Sequence, residues 1–377
     1  MEKKDKNLNV PNLRFPEFSG EWEKALLNHY LEENKERNKK GVFTKNDVLS
    51  VSGDYGVVNQ IELLGRSFAG KSVLDYHVVR HGNIVYTKSP LKEYPYGIVK
   101  VNDGVDGIVS TLYAVYMTKE NVDGKFIENY FGLPSRTNRY FKPIVRIGAK
   151  HDMKIGNEEV LANYVIFPQL DEQKRISEFI SLLDQRIETQ KKIIEKYESL
   201  IRGLCEQLTR QGTKNKAINE CLDCHASTLQ ESTVSGTGEY PVYGATGVCG
   251  YTNFNDVKAD GILIIKDGAS VGTTYYARGS YSHIGTLNRL TARKGVNLRY
   301  VYYCLKVMNF APYKTGLAIP HIYFKDYGKH RIWCPSYEEQ LHIANILTQI
   351  DDKIHVEKSL LEQLNSQKRY MLNQLFI

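Results

Sequence analysis

The sequence predicts a mixed α/β (α+β) protein in which two globular segments alternate with two long helices. Three observations predict it. A long amphipathic helix pattern occurs twice, offset by 167 residues. Each copy follows a segment of short β-branched runs broken by turn residues. The apolar positions in both helices recur at 3.5-residue spacing, the mark of a helix that needs a helical partner.

The repeat comes first in the argument. Pro168-Gln-Leu-Asp-Glu-Gln173, continuing to Leu208, aligns with Pro335-Ser-Tyr-Glu-Glu-Gln340, continuing to Leu375. In the first copy the seam is Ile176, Ile180, Leu183, Ile187, Gln190, Ile194, Tyr197, Ile201, Leu204 and Leu208. In the second it is Ile343, Leu347, Ile350, Ile354, Glu357, Leu361, Leu364, Lys368, Met371 and Leu375, in the same phase. Proline disfavours helix just before itself, and Asp171-Glu172 or Glu338-Glu339 meet the positive end of the helix dipole. Neither helix can bury its seam alone, so the expectation is that they pair as an antiparallel coiled coil, relating the halves by a pseudo-two-fold. Gln190 and Glu357, the polar residues at the fifth seam position, would then lie near one another and fix register; solvent exposure is the other reading.

The globular segments are read as short strands such as Gly82-Asn-Ile-Val-Tyr86, Gly97-Ile-Val-Lys-Val101 and Gly261-Ile-Leu-Ile-Ile265, separated by glycine-rich turns. Asn129-Tyr130-Phe131 and Val301-Tyr302-Tyr303 are read as short helices in corresponding places. The expected division is a first globular domain at 1–165, a central helix at 166–215, a second globular domain at 216–333 and a C-terminal helix at 334–377.

The chain has 377 residues and a net charge of +7. By segment the net charge is +3 for 1–165, +1 for 166–215, +5 for 216–334 and −2 for 335–377. A polyanion would therefore bind the globular parts rather than the helices. No apolar run approaches the ~18 residues of a membrane span, and the start lacks a signal-peptide core, so no membrane association and a cytoplasmic location are expected. Six cysteines in a chain this long fit free thiols rather than a disulfide framework.

Two like domains carried on paired helices suit a ligand with two separated, dyad-related sites, and B-DNA offers that geometry at about 34 Å per turn. Because the domains differ in sequence, the half-sites should differ too, and the helices would act as a ruler between them.

The paired, proline-led helices resemble the spacer regions of type I restriction–modification specificity subunits. So does Gly238-Glu-Tyr-Pro-Val-Tyr-Gly-Ala-Thr-Gly-Val-Cys-Gly-Tyr251, followed by Ile265-Lys-Asp-Gly-Ala-Ser-Val-Gly272, in one recurrent type of target-recognition domain. The opening Val10-Pro-Asn-Leu-Arg-Phe-Pro-Glu-Phe18, with Trp22 soon after, is similar to starts seen there. The likeness covers essentially the whole chain, although 20–165 has only weak motifs. It implies a non-catalytic subunit that binds double-stranded DNA, with each target-recognition domain reading one half of a bipartite site. It further implies partners: two modification (methyltransferase) subunits, and restriction (motor-nuclease) subunits. No cofactor is expected in this chain; S-adenosylmethionine, ATP and Mg would belong to those partners.

Other motifs carry less. Cys221-Leu-Asp-Cys-His225 fits a haem-attachment pattern, but that chemistry needs an export signal. Zinc needs a second ligand pair, and the remaining cysteines are scattered. Asp171-Glu-Gln-Lys174 has a nuclease-like E-x-K, yet its counterpart Glu338-Glu-Gln-Leu341 lacks the lysine. There is no phosphate-loop glycine motif. A free-standing DNA-binding regulator, or a metal-dependent nuclease with a helical arm, are the alternative functions.

Base edges are read by side-chain forks and phosphates by cations, so DNA contacts should come from loop residues of the globular parts. The candidates in the first are Lys88, Ser89, Tyr94, Tyr96, Arg136, Arg139 and Lys142. In the second they are Lys266, Ser270, Arg278, Lys314 and His321. The second segment also holds 12 of the 26 tyrosines, which suit either half-buried strands or a binding surface.

Overall fold

In the computed structural model, residues 9–91, 94–147, 153–255, 257–316 and 318–377 are described. The chain forms two compact units, one from residues 1–189 with 361–377 and one from 190–360. Each long helix therefore contributes a stretch to both.

The first unit is built on a four-stranded antiparallel sheet. Its order is Leu31–Glu33, Tyr113–Thr118, Ile84–Thr87, Val99–Val101. The strand 84–87 is buried at every position because both its faces are covered. Ile84 and Tyr86 enter one apolar cluster and Val85 another, as the two-residue period of a strand requires. The larger cluster also takes Trp22, Phe126, Phe141, Phe167, and Ile176 and Ile180 of the first long helix. Leu372, Leu375 and Phe376, at the C-terminal end of the second long helix, complete it.

The second unit repeats this order. Leu222–Ala226, Leu287–Ala292, Gly261–Ile265 and Thr274–Ala277 form a four-stranded antiparallel sheet. Again the central strand divides its side chains, with Ile262 and Ile264 in one cluster and Leu263 and Ile265 in another. A short antiparallel pair brackets each sheet in the chain: Glu23–Leu26 before it with Tyr164–Phe167 after it, and Lys216–Ala217 before it with Arg331–Ile332 after it. Each unit also has a hairpin, Leu49–Ser52 with Gly56–Asn59 in the first and Tyr240–Gly244 with Gly247–Thr252, joined in parallel by Ser282–His283, in the second.

The helices span Leu170–Leu208 and Tyr337–Gln374. All twenty seam positions are buried or half-buried. Their starts are held by the repeated glutamine. Gln173 donates to the Pro168 carbonyl and accepts from the backbone N–H of Asp123, which caps a helix at Gly124–Tyr130. Gln340 donates to the Pro335 carbonyl and accepts from the N–H of Asn297, which caps Leu298–Lys306. One side chain thus ties the start of a long helix to the start of the helix packed beside it. The sequence shows the Gln173/Gln340 identity but not its use. Glu172 does more than face a dipole: it is buried and takes both Nε and Nη2 of Arg14 at 2.7 Å, with the Trp22 indole N–H at 3.3 Å. Its counterpart Glu339 is exposed.

Within each unit the two helices touch. In the first, Lys368 pairs with Asp184. In the second, Gln190 donates to the Glu357 carboxylate and carbonyl, and Lys358 pairs with Glu198. Gln190 and Glu357 are 6% and 7% exposed, so burial, not solvation, is their setting. The Glu357 carboxylate is also held by Lys353 one turn before it, at 2.6 Å, so a shifted register would leave the buried Gln190 donor unpaired and is disfavoured.

Candidate nucleic-acid interface

The second unit brings four of its five candidates onto one pair of loops. The loop after the central strand carries Lys266 and Ser270; a second loop carries Lys314 and His321. Backbone bonds lace them together: Ile322 N–H to the Lys266 carbonyl, Gly268 N–H to the Pro320 carbonyl, and Thr315 with His321 in both directions. His321 Nδ1 stands 2.7 Å from Asp267 Oδ1, which orients the ring. Gly272 has φ +94, and a Cβ there would press on the Phe310 ring at 2.9 Å, so this turn requires glycine. Ser270 and Lys314 are exposed, and Lys314 lines a shallow cavity with Val271–Thr274. The arrangement presents cations and hydroxyls on a braced loop, the chemistry that holds phosphates and base edges. Arg278 lies outside it and pairs with Asp352 at 3.2 Å on the surface.

The first unit distributes its candidates over separate settings. Lys88 is half-buried, donates to Asn157 Oδ1 at 2.9 Å, and burial lowers its pKa. Asn157 in turn donates to Glu33. Ser89 beside it is exposed. The Tyr94 hydroxyl reaches the Gly132 carbonyl, and Tyr96 packs against the core with its carbonyl accepting from the Tyr86 hydroxyl. Arg139 and Lys142 are exposed, Arg139 donating to the Ile377 carbonyl.

Arg136 is in a different position from the one the sequence suggests. It is 6% exposed, and its guanidinium donates to the carbonyls of Tyr130 at 2.9 Å and Leu372 at 2.8 Å. It also lies over the rings of Tyr130 and Phe376. Burial pulls its pKa down to about 10, still charged at neutral pH. A side chain so enclosed fastens the C-terminal end of the second long helix to the sheet domain and leaves no face for a nucleic acid.

One residue the sequence reading passed over is Arg289. It lines a cavity of about 400 Å³ with His225, His283 and the exposed Phe254. Its signal was an arginine on the strand face that otherwise holds Leu287 and, across the register, Leu263. Cys221, Cys224 and His225 do not converge. Cys221 is in the core, Cys224 is half-buried, and His225 turns outward to the Thr291 hydroxyl. Among the described residues no group of three or more His, Cys, Asp or Glu could hold a metal ion, and no helix is long and apolar enough to cross a membrane.

Residues 214–366 match the family described as the type I restriction modification DNA specificity domain. The type I restriction enzyme EcoprrI specificity subunit of Escherichia coli is 26% identical over 112 residues, 30% of this chain and 28% of that one. The MjaVIII specificity subunit of Methanocaldococcus jannaschii is 30% identical over 122 residues, 32% of this chain and 29% of that one. The chain thus spans under a third of the length of these curated relatives. The fold likeness extends further: the crystal structure of a type I restriction–modification S subunit from M. genitalium superposes with a TM-score of 0.65 at 16% identity, covering 98% of this chain and 99% of that one. Residues 214–366 thus match the specificity-domain family, and the fold along the chain is similar to that of a solved S subunit.

Proposed function

We propose that this chain is the DNA-reading subunit of a type I restriction–modification complex. The two globular parts, each a target-recognition domain, read one half each of an asymmetric, bipartite double-stranded target. The long helices pair as an antiparallel coiled coil, set the spacing between the half-sites and help dock two modification subunits. Restriction subunits join the same complex, in the cytoplasm, where its DNA is. The chain itself is non-catalytic: S-adenosylmethionine, ATP and Mg serve the partner subunits.

The observation that carries this reading is the sheet order built twice with different loops on it. Of the first unit's candidates Lys88 is tied to Asn157, Tyr94 to Gly132 and Arg139, on the helix Pro134–Phe141, to Ile377, whereas four of the second unit's sit on the braced 266–273 and 314–321 loops. Like frameworks with unlike surfaces suit an asymmetric site. The buried Gln190–Glu357 pair supports a fixed helix register, which a ruler requires.

The test is methylation-sensitive sequencing of DNA from cells expressing this chain with its modification subunit. A modified, asymmetric motif interrupted by a spacer of constant length is expected. A continuous or palindromic motif would refute the two-reader mechanism. DNA cleavage by the purified chain with Mg alone would refute the non-catalytic assignment.

A further inference from the structure

The linker that follows the first long helix bounds a cavity of about 380 Å³ inside the second unit. Among the described residues three cations line it, Arg210, Lys214 and Arg331, and no aspartate or glutamate does. Arg210 donates one N–H to the Val307 carbonyl at 2.8 Å, and Arg331 donates one to the Asn215 carbonyl at 2.6 Å. These neutral acceptors hold the guanidinium groups in place without cancelling their charge. Their field is felt by His330, whose pKa is lowered first by burial and then by Lys214 and Arg210. The His330 ring is fixed by the Tyr313 hydroxyl at 2.9 Å from Nδ1.

Tyr313, Trp333, Val307 and Met308 give the lining its aromatic and apolar part, and Thr209 and Asn309 are its neutral polar members. The linker backbone lies directly on the indole, since a Cβ at Gly212 would stand 2.2 Å from Trp333 Nε1. The cavity therefore combines an uncompensated set of planar and point cations with flat apolar walls. Guanidinium and ammonium groups recognise phosphate oxygens, and aromatic faces accept a planar ring. Its size falls within the range of small-ligand sites.

We propose that this cavity binds a nucleoside phosphate, the phosphate among Arg210, Lys214 and Arg331 and the base against Tyr313, with Trp333, covered by the linker at Gly212, as the floor. This goes beyond the DNA-reading function, which uses other loops. Two sources supply the same chemistry, a free nucleotide and the sugar–phosphate backbone of DNA.

The experiment titrates the full-length chain with AMP by calorimetry and tryptophan fluorescence, with adenosine as the uncharged control and target duplex in a parallel arm. Two variants are compared: Lys214→Gln with Arg331→Gln, which removes charge at the surface, and Gly212→Ala, which intrudes on the wall without changing charge. Saturable AMP binding is expected, weakened about tenfold or more by both variants and nearly absent for adenosine. If AMP does not bind but duplex affinity falls in both variants, the ligand is the DNA backbone. AMP binding that neither variant changes, or duplex binding that responds to charge removal and not to Gly212→Ala, overturns the site. So does a lack of response in both arms.

Discussion

Replacing Arg136 by alanine should destabilise the first unit without acting through DNA contact. The substitution removes two hydrogen bonds from a buried cation, to Tyr130 and Leu372 carbonyls, and the ring contacts with Tyr130 and Phe376. Each carbonyl left unpaired costs about 1–3 kcal/mol, and a desolvated cation–π contact contributes up to about 2 kcal/mol. Against this stands the relief of burying a charge, which is worth several kcal/mol and offsets part of the loss. The net expectation is a loss of about 3 kcal/mol, or roughly 6–12 °C in melting temperature for a unit of this size. Urea unfolding read by the fluorescence of Trp22, which lies in the same apolar cluster, is the assay, in a Trp333→Phe background that silences the other tryptophan. Arg139→Ala, at an exposed site, should change stability by less than about 0.5 kcal/mol and serves as the control. An Arg136→Ala chain that unfolds at the wild-type midpoint yet loses DNA affinity would refute the structural role and return Arg136 to the interface.

Three further outcomes are expected. Gln190→Leu alone should lower the urea midpoint by removing one of the two partners of the Glu357 carboxylate, the other being Lys353 at 2.6 Å, whereas Gln190→Leu with Glu357→Leu should exceed the single variant by completing the apolar seam; a double variant no more stable than the single one would mean that the pair is solvated. His77 is 1% exposed, and burial, reinforced by Arg37 and Lys88, lowers its pKa from 6.5 to about 4. Because the folded state holds this ring neutral, its contribution is complete above pH 6.5 and is lost as pH falls towards 4, by up to about 3 kcal/mol. His77→Gln should flatten that stretch of the stability–pH curve, and an unchanged slope would show that other groups titrate there. Lys266→Gln and Lys314→Gln should each lower the slope of log affinity against log salt by about 1 while leaving sequence preference unchanged; a change of preferred sequence would make either one a base reader.

The seam, the repeat and its offset were all legible in the sequence, because helical periodicity is a property of residues three and four apart. The strand 261–265 was legible for a similar reason: a run of buried β-branched residues needs no distant partner to be recognised. Lys266, Ser270, Lys314 and His321 were found individually as polar loop residues, but their assembly was not. It depends on backbone pairing between segments some fifty residues apart.

What only the tertiary structure decided are the roles of side chains whose partners are far along the chain. Arg136 looked like a surface cation, but the Leu372 carbonyl that captures it is 236 positions away. Glu172 looked like a helix cap, but Arg14 and Trp22 enclose it. Gln173 and Gln340 were only an identity in an alignment until each was seen to join two helix starts. Periodicity encodes which face of an element must be buried, because burial acts on every residue of that face alike. A hydrogen bond acts on one pair, and the chain brings that pair together only when it folds.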